Sequence, residues 1–153
     1  MANHGNDSAC AGLGRSVVAD CVFCKIVAKQ IPASIVWDDE LTLAFMDIGS
    51  VNPGHVLVAI KPHAENIFGL DERHAAAVFQ ATARVAKAVN KAFAPQGVTL
   101  YQANGRAAGQ TVFHFHIHVV PRHEGDGMEL TWPLQNPPRA ALEEAAERIR
   151  RAF

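Results

Sequence analysis

Residues 111–120 read Thr-Val-Phe-His-Phe-His-Ile-His-Val-Val, with a histidine at every second position from 114 to 118. Alternation of His114, His116 and His118 with Phe113, Phe115, Ile117 and Val119 is the period-two pattern of a half-buried strand. The pattern sends three imidazoles to one face and the apolar set to the core. Imidazoles titrate near neutral pH and can act as nucleophile, proton donor or metal ligand. Same-face neighbours on a strand lie roughly 6.5–7 Å apart, and the outer pair roughly 13 Å apart. With metal–nitrogen bonds of about 2 Å, adjacent rings can share an ion but the outer two hardly can. At least one ring is therefore expected to stay available for chemistry.

Two further groups of residues carry chemical potential. Just before the histidines, Ala107, Ala108 and Gly109 are small enough to let a ligand approach backbone N–H groups, as phosphate-binding loops do. Gln110 and Thr111 add neutral donors for phosphate oxygens, with a plain turn as the ordinary alternative; Arg106 reads as a solvated loop charge. The second group is Cys21-x-x-Cys24, half of a tetrahedral metal site that two histidines would complete. Reduced thiols and a redox pair are the alternatives. Val22 and Phe23 between the cysteines, with no strand before them, disfavour the redox pair.

Positioning these residues requires a scaffold, and its elements are legible. A short helix is expected from Cys24 to Gln30, stopped by Pro32. Ser34 to Trp37, Leu41 to Met46, His55 to Ile60 and Val98 to Gln102 read as strands, with turns at Asp38-Asp39 and Asn52-Pro53-Gly54. Asp71 caps a long helix in which Val78, Val85, Val89 and Phe93 recur at helical spacing, ended by Pro95 and Gly97. After Pro137-Pro138 a C-terminal helix carries Leu142, Ile149 and Phe153 on one face, its acids preceding its arginines as the macrodipole favours. Successive strands with short turns imply a mostly antiparallel sheet of about five strands, hence class α+β.

Composition bounds the rest. The 153 residues suit one domain, expected over 20–153, preceded by a Gly-, Ala-, Asn- and Ser-rich segment, 1–19, read as a flexible tail. Ser16-Val-Val-Ala is too short and too poorly flanked for a signal peptide. A net charge of −1 gives no basic field to gather nucleic acid, and no apolar run reaches the length of a membrane span. Three cysteines are too few for a disulfide framework and fit a reducing, cytoplasmic compartment.

His114-Phe-His-Ile-His-Val-Val resembles the His-φ-His-φ-His-φ-φ signature of the histidine triad family of nucleotide hydrolases and transferases. Cys21-Val-Phe-Cys-Lys-Ile-Val, Leu43-Ala-Phe-Met-Asp-Ile, Pro53-Gly-His-Val-Leu-Val, Lys61-Pro-His and Ala108-Gly-Gln-Thr-Val follow the family's order and approximate spacing. So does Pro121-Arg122, and the likeness covers about residues 20–122. It implies the family fold, in which the sheet is backed by one long helix and followed by a C-terminal one.

The resemblance also implies roles. The middle histidine of the family attacks the α-phosphate of a nucleotide and forms a covalent nucleotidyl-imidazole, a role that falls on His116. His118 would contact the phosphate, Thr111 or Gln110 would face the leaving atom, and His55 matches a supporting histidine. Asp47 matches the acid that accepts from the ribose hydroxyls; Phe23, Ile26, Phe45 and Ile48 match the base pocket of a purine nucleotide. Asn104 and Gly109, at the two ends of the small-residue loop, are counted with the substrate contacts. Zinc-containing bacterial members point to His63 and His114 as partners of Cys21 and Cys24, giving a structural zinc and no metal requirement in catalysis. Family members are usually homodimers, and Trp132 falls in the segment that would reach a partner's site. The implied substrates are nucleoside phosphoramidates, with dinucleoside polyphosphates as the alternative; a nucleotide-binding sensor without turnover and a zinc-dependent interaction module are the rivals outside enzymes.

Overall fold

A computed structural model of the protein describes residues 20–129, 131 and 133–153. The expected tail, 1–19, and Trp132 lie outside the described residues. Helix α1 spans Val22–Val27, strands β1, β2 and β3 span Ile35–Asp38, Thr42–Met46 and Val56–Ile60, and α2 spans Glu72–Phe93. Strands β4, Gly97–Tyr101, and β5, His116–Arg122, follow, then α3, Arg139–Arg150. One five-stranded sheet has the order β1-β2-β3-β5-β4, and every pair in it is antiparallel. The class is α+β, as the strand pattern predicts.

Local chemistry accounts for the elements. The Asp71 side chain accepts from the His74 N–H at 2.8 Å, capping α2; Ala94 at φ 45° and Pro95 end it. Its apolar stripe, Val78, Ala81, Val85 and Val89, is buried against Ala44, Val58, Phe115, Ile117 and Val119 on one face of the sheet. Each fully buried valine contributes roughly 1.5–3 kcal/mol, so this layer fixes the sheet rigidly beneath the site. Phe93 departs from the expectation, being 44% exposed. It lies over Gly54, whose φ of +91° and closeness to the Phe93 ring leave no room for a Cβ.

The opposite face carries a second apolar cluster, Phe23, Leu43, Phe45, Leu57 and Ala59, with α1 packed over it. Helix α3 has no buried residue, and Leu142 and Ile149 on it are more than half exposed. The stripe expected on that helix therefore faces away from the core of this chain.

The histidine strand starts later than its alternation suggests, at His116 instead of Thr111. Register explains the difference. His116 pairs with Ala59, and β3 ends one residue further on, at Ile60, ahead of Pro62, which has no N–H to offer. Residues before His116 bond instead to the loop leaving β3: the Phe115 N–H donates to the Ala64 carbonyl at 2.7 Å. Phe113 consequently misses the core and sits half-buried beneath the Arg106 guanidinium, 5.1 Å from the ring centroid.

Candidate active site and metal centre

Sheet register assembles the site. Leu43, Ala59 and His116 form one cross-strand row, and Phe45, Leu57 and His118 the next. The same alternation carried one step further along β2 and β3 places Asp47 beside His55, where the Asp47 N–H donates to the His55 carbonyl at 3.1 Å. Three strands thus deliver Asp47, His55, His116 and His118 to one face, over the apolar cluster.

A cleft of about 590 Å³ opens there. Phe23, Ile26, Phe45 and Leu57 line its apolar wall, His116 and His118 lie at its floor, and Asp47 and Thr111 add polar groups. Phe23 is nearly buried and stands edge-on to Phe45 at 5.2 Å and to His116 at 5.0 Å between ring centroids. Ile48 borders the same cleft but is fully exposed, so it forms a rim and not a wall.

Hydrogen-bond partners assign the ring protons. The Nδ1 of His116 lies 2.6 Å from the His114 carbonyl, which can only accept, so Nδ1 carries the proton and Nε2 a lone pair. The Val51 N–H donates to His55 Nδ1 at 3.3 Å, which puts the His55 proton on Nε2. That proton is donated to His118 Nδ1 at 2.9 Å, leaving His118 with an Nε2–H. A ring nitrogen with a lone pair and a donor N–H therefore stand on adjacent rings, with centroids 5.0 Å apart. The Asp47 carboxylate lies 3.4 Å from His55 Nε2 and 3.6 Å from His118 Nδ1. Its other oxygen accepts from the Gly49 N–H at 2.8 Å.

The rings are held neutral. Burial lowers the pKa of His116, against the opposing pull of its bond to the His114 carbonyl and of Asp47. Burial, then repulsion from His116 and His55, takes His118 down to about 4 despite Asp47. Burial likewise lowers His55, with Asp47 opposing. A neutral imidazole is the form that can attack phosphorus.

His114 does something different. It is fully buried, its Nε2–H donates to the Ile60 carbonyl at 2.7 Å, and its Nδ1 faces Cys21 Sγ at 3.4 Å and Cys24 Sγ at 3.5 Å. His63 Nδ1 lies 3.4 Å from Cys24 Sγ. All four ligand atoms fall within 4.8 Å of one another. This donor set fits a metal ion: two sulfurs, two ring nitrogens, and one histidine locked by a backbone carbonyl in the ligating tautomer. Asp47, His55 and His118 are as closely spaced, but the His55 nitrogen that would ligate carries a proton. The trio is a hydrogen-bonded chain, whereas the donors of the four-residue group fit a metal ion.

Of the remaining expected contacts, Thr111 borders the cleft, whereas Gln110, Asn104 and Gly109 do not line it. Gln110 is buried, its amide donating to the Glu65 and Val112 carbonyls and accepting from the Gly105 N–H. Asn104 accepts from the Ile67 N–H and exchanges bonds with Gln102. Gly109, at φ +87°, turns the loop beneath the Tyr101 hydroxyl. These three shape the loop that presents Thr111. The anchoring of His55 by Val51 escaped the sequence reading; only the Pro-Gly-His turn hinted that this ring would be fixed from its own loop.

A HIT domain model matches residues 28–125, well over half of the chain. The chain belongs to that family. It is 38% identical over 114 residues to an adenosine 5'-monophosphoramidase of Schizosaccharomyces pombe, covering 74% of this chain and 83% of that protein. The crystal structure of a HIT family protein from Bacillus anthracis is 40% identical, covers 88% of this chain and 97% of its own, and superposes with a TM-score of 0.84. A Zn-bound histidine triad family protein from Mycobacterium smegmatis is 32% identical over 89% of this chain and 99% of that one, with a TM-score of 0.69. Among the described residues no helix is long and apolar enough to cross a membrane.

Proposed function

We propose that the protein hydrolyses or transfers nucleotidyl groups from nucleoside phosphoramidates, through a covalent intermediate on His116. The observation that carries this reading is the His116 ring, neutral and oriented by the His114 carbonyl, with its Nε2 lone pair left for the cleft. The likeness to a phosphoramidase supports the substrate class. The purine lies against Phe23, Ile26 and Phe45, the ribose hydroxyls meet Asp47, and the α-phosphate rests on His116 and His118.

In the first half-reaction, His116 Nε2 bonds to phosphorus, the P–N bond of the substrate breaks, and the amine departs with the electron pair and takes up a proton from solvent, matched by the proton that water loses in the second. His118 Nε2–H donates to a phosphoryl oxygen as charge builds there, and the Thr111 hydroxyl faces the leaving group. The His116 ring becomes cationic, which the nearby Asp47 carboxylate favours. Water then attacks phosphorus and loses a proton, the P–Nε2 bond breaks, and neutral His116 is restored. No step needs a metal at phosphorus.

Cys21, Cys24, His63 and His114 would hold zinc, as their donor set and the Zn-bound relative support. Filled by four protein ligands, the ion would clamp α1 to the segment before β5 and supply no reactive water. A homodimer is supported by β4, whose outer edge pairs with no strand among the described residues and whose Leu100 is 44% exposed. A reducing cytoplasmic location suits cysteine sulfurs aimed at histidine nitrogens.

The test uses an AMP-amine labelled at phosphorus. A burst of free amine with label trapped on the protein, absent in His116→Ala although AMP still binds within roughly tenfold, is expected. Binding without labelling would favour a sensor, and turnover of diadenosine polyphosphates in preference to AMP-amines would move the substrate class.

A further inference from the structure

We propose that the Cys21/Cys24/His63/His114 cluster, loaded with a metal ion, sets the tautomer and orientation of His116. It would thus be a positioning element for catalysis besides a staple for the fold. This rests on the readings of His116 as nucleophile and of the cluster as a metal centre.

Few hydrogen bonds hold the His116 ring. Among the described residues, its one hydrogen bond is the Nδ1–H donated to the His114 carbonyl at 2.6 Å. That carbonyl belongs to a residue outside any strand, so no sheet ladder fixes it. The His114 side chain holds it from one side, with Nε2–H on Ile60 and Nδ1 at the cluster. The N–H of that same peptide, on Phe115, donates to the Ala64 carbonyl at 2.7 Å, one residue beyond His63. Two ligands therefore bracket the loop that places the acceptor for the catalytic ring.

A second link runs through the cysteine motif. Phe23 sits between Cys21 and Cys24, and its ring meets His116 edge-on at 5.0 Å. Cys21 precedes the first turn of α1 with no side-chain cap bond, so this short helix gains little fixation from its own N-terminus. With an ion bound, His114 and Phe23 are referred to one point and hold the His116 ring from its bonded nitrogen and from its side. Without it, the His114 Nδ1 lone pair faces two thiols, a far weaker constraint than a metal–nitrogen bond. With the His114 ring and the His63–Ala64 segment that receives the Phe115 N–H both loosened, this peptide can tilt, and Nδ1–H is no longer the enforced tautomer. A proton moved to Nε2 removes the lone pair that attacks phosphorus.

The experiment compares full-length wild type, His63→Ala and His63→Cys, each titrated with Zn2+ alone and, separately, with Co2+ alone, whose visible absorption reports four-coordinate binding. The tautomer of His116 is read from 15N chemical shifts, and kcat and KM are measured with an AMP-amine. His63→Ala is expected to lose the ion, to show mixed His116 tautomers and to lower kcat ~10-fold or more, as removal of metal-orienting partners does. Because the apolar wall remains, KM should change less than about threefold. His63→Cys keeps four ligands and should restore the ion, the Nδ1–H tautomer and most of kcat. Should a variant fail to fold, partial chelation of the wild type is followed at a temperature where its amide spectrum stays dispersed. A stripped, folded molecule with an unchanged His116 tautomer and kcat would overturn the proposal. Loss of the tautomer on stripping in a loaded protein that never turns over AMP-amines would instead uphold the coupling and remove the proposed activity.

Discussion

Acid should weaken this protein through His118. The ring is about three-quarters buried, and burial together with repulsion from His116 and His55 places its folded-state pKa at about 4 against 6.5 when unfolded. Above pH 6.5 the ring is neutral in both states and contributes nothing to the pH dependence. Below 6.5 the unfolded chain binds a proton that the folded chain refuses, so stability falls until the folded ring ionises near pH 4. The gap corresponds to roughly 3 kcal/mol at its limit, of which roughly 2–3 kcal/mol has developed by pH 4.5. Asp39, Asp71 and Asp126 are held below the ordinary carboxylate value by their hydrogen bonds, so the stability they add is lost only below that window. The perturbation is His118→Asn, whose amide oxygen can still accept from His55 Nε2–H. Urea unfolding of wild type and variant between pH 7.5 and 4.5 isolates the effect, because both keep the same cysteine–histidine cluster. The variant is expected to lose about 2 kcal/mol less than wild type across that range, discounted because the neighbouring rings depress one another and share protons. Parallel curves for the two proteins would refute the assignment of a buried, neutral His118.

Two structural substitutions test the supports of the site. Gln110→Ala strands the Gly105 N–H and two carbonyls beneath the loop, so chemical denaturation should show a loss of roughly 2–3 kcal/mol, with smaller effects on AMP affinity. Stability within experimental error of wild type would mean that the amide does not carry the loop. Gly54→Ala forces a side chain into φ +91° with its Cβ 2.6 Å from the Phe93 ring. A lowered melting temperature, from roughly 2 kcal/mol or more of strain, should be partly rescued by Phe93→Ala, which removes the contact but not the backbone cost. An equal loss of stability on Gly54→Ala in both backgrounds would show that the ring is not the obstacle.

Much of the scaffold is legible from local signals. The caps and apolar stripe of α2, the turn residues and the period-two strands are short-range properties of the chain, and each element lies within a few residues of its expected place. The strand beginning at His116 shows where such signals stop. Alternation continues through His114 and Phe115, but a strand lasts only while a neighbour offers backbone partners, and β3 ends at Ile60. The same limit applies at α3, where spacing marks an apolar face but cannot say what, if anything, covers it.

By itself the sequence determined which residues carry chemistry, because imidazole, thiol and carboxylate are identities, and their order matches a known family. It also determined that His116 and His118 share a face, since strand geometry requires that of alternate residues. Only the tertiary structure decided which nitrogen of each ring bears the proton. Those assignments depend on a carbonyl of His114, an amide of Val51 and the sulfurs of Cys21 and Cys24, brought together by sheet register and loop path. A proton goes where an acceptor stands, and acceptors arrive from strands and loops distant in the chain. Three chemically identical histidines thereby become a proposed ligand, a proposed nucleophile and a proposed donor.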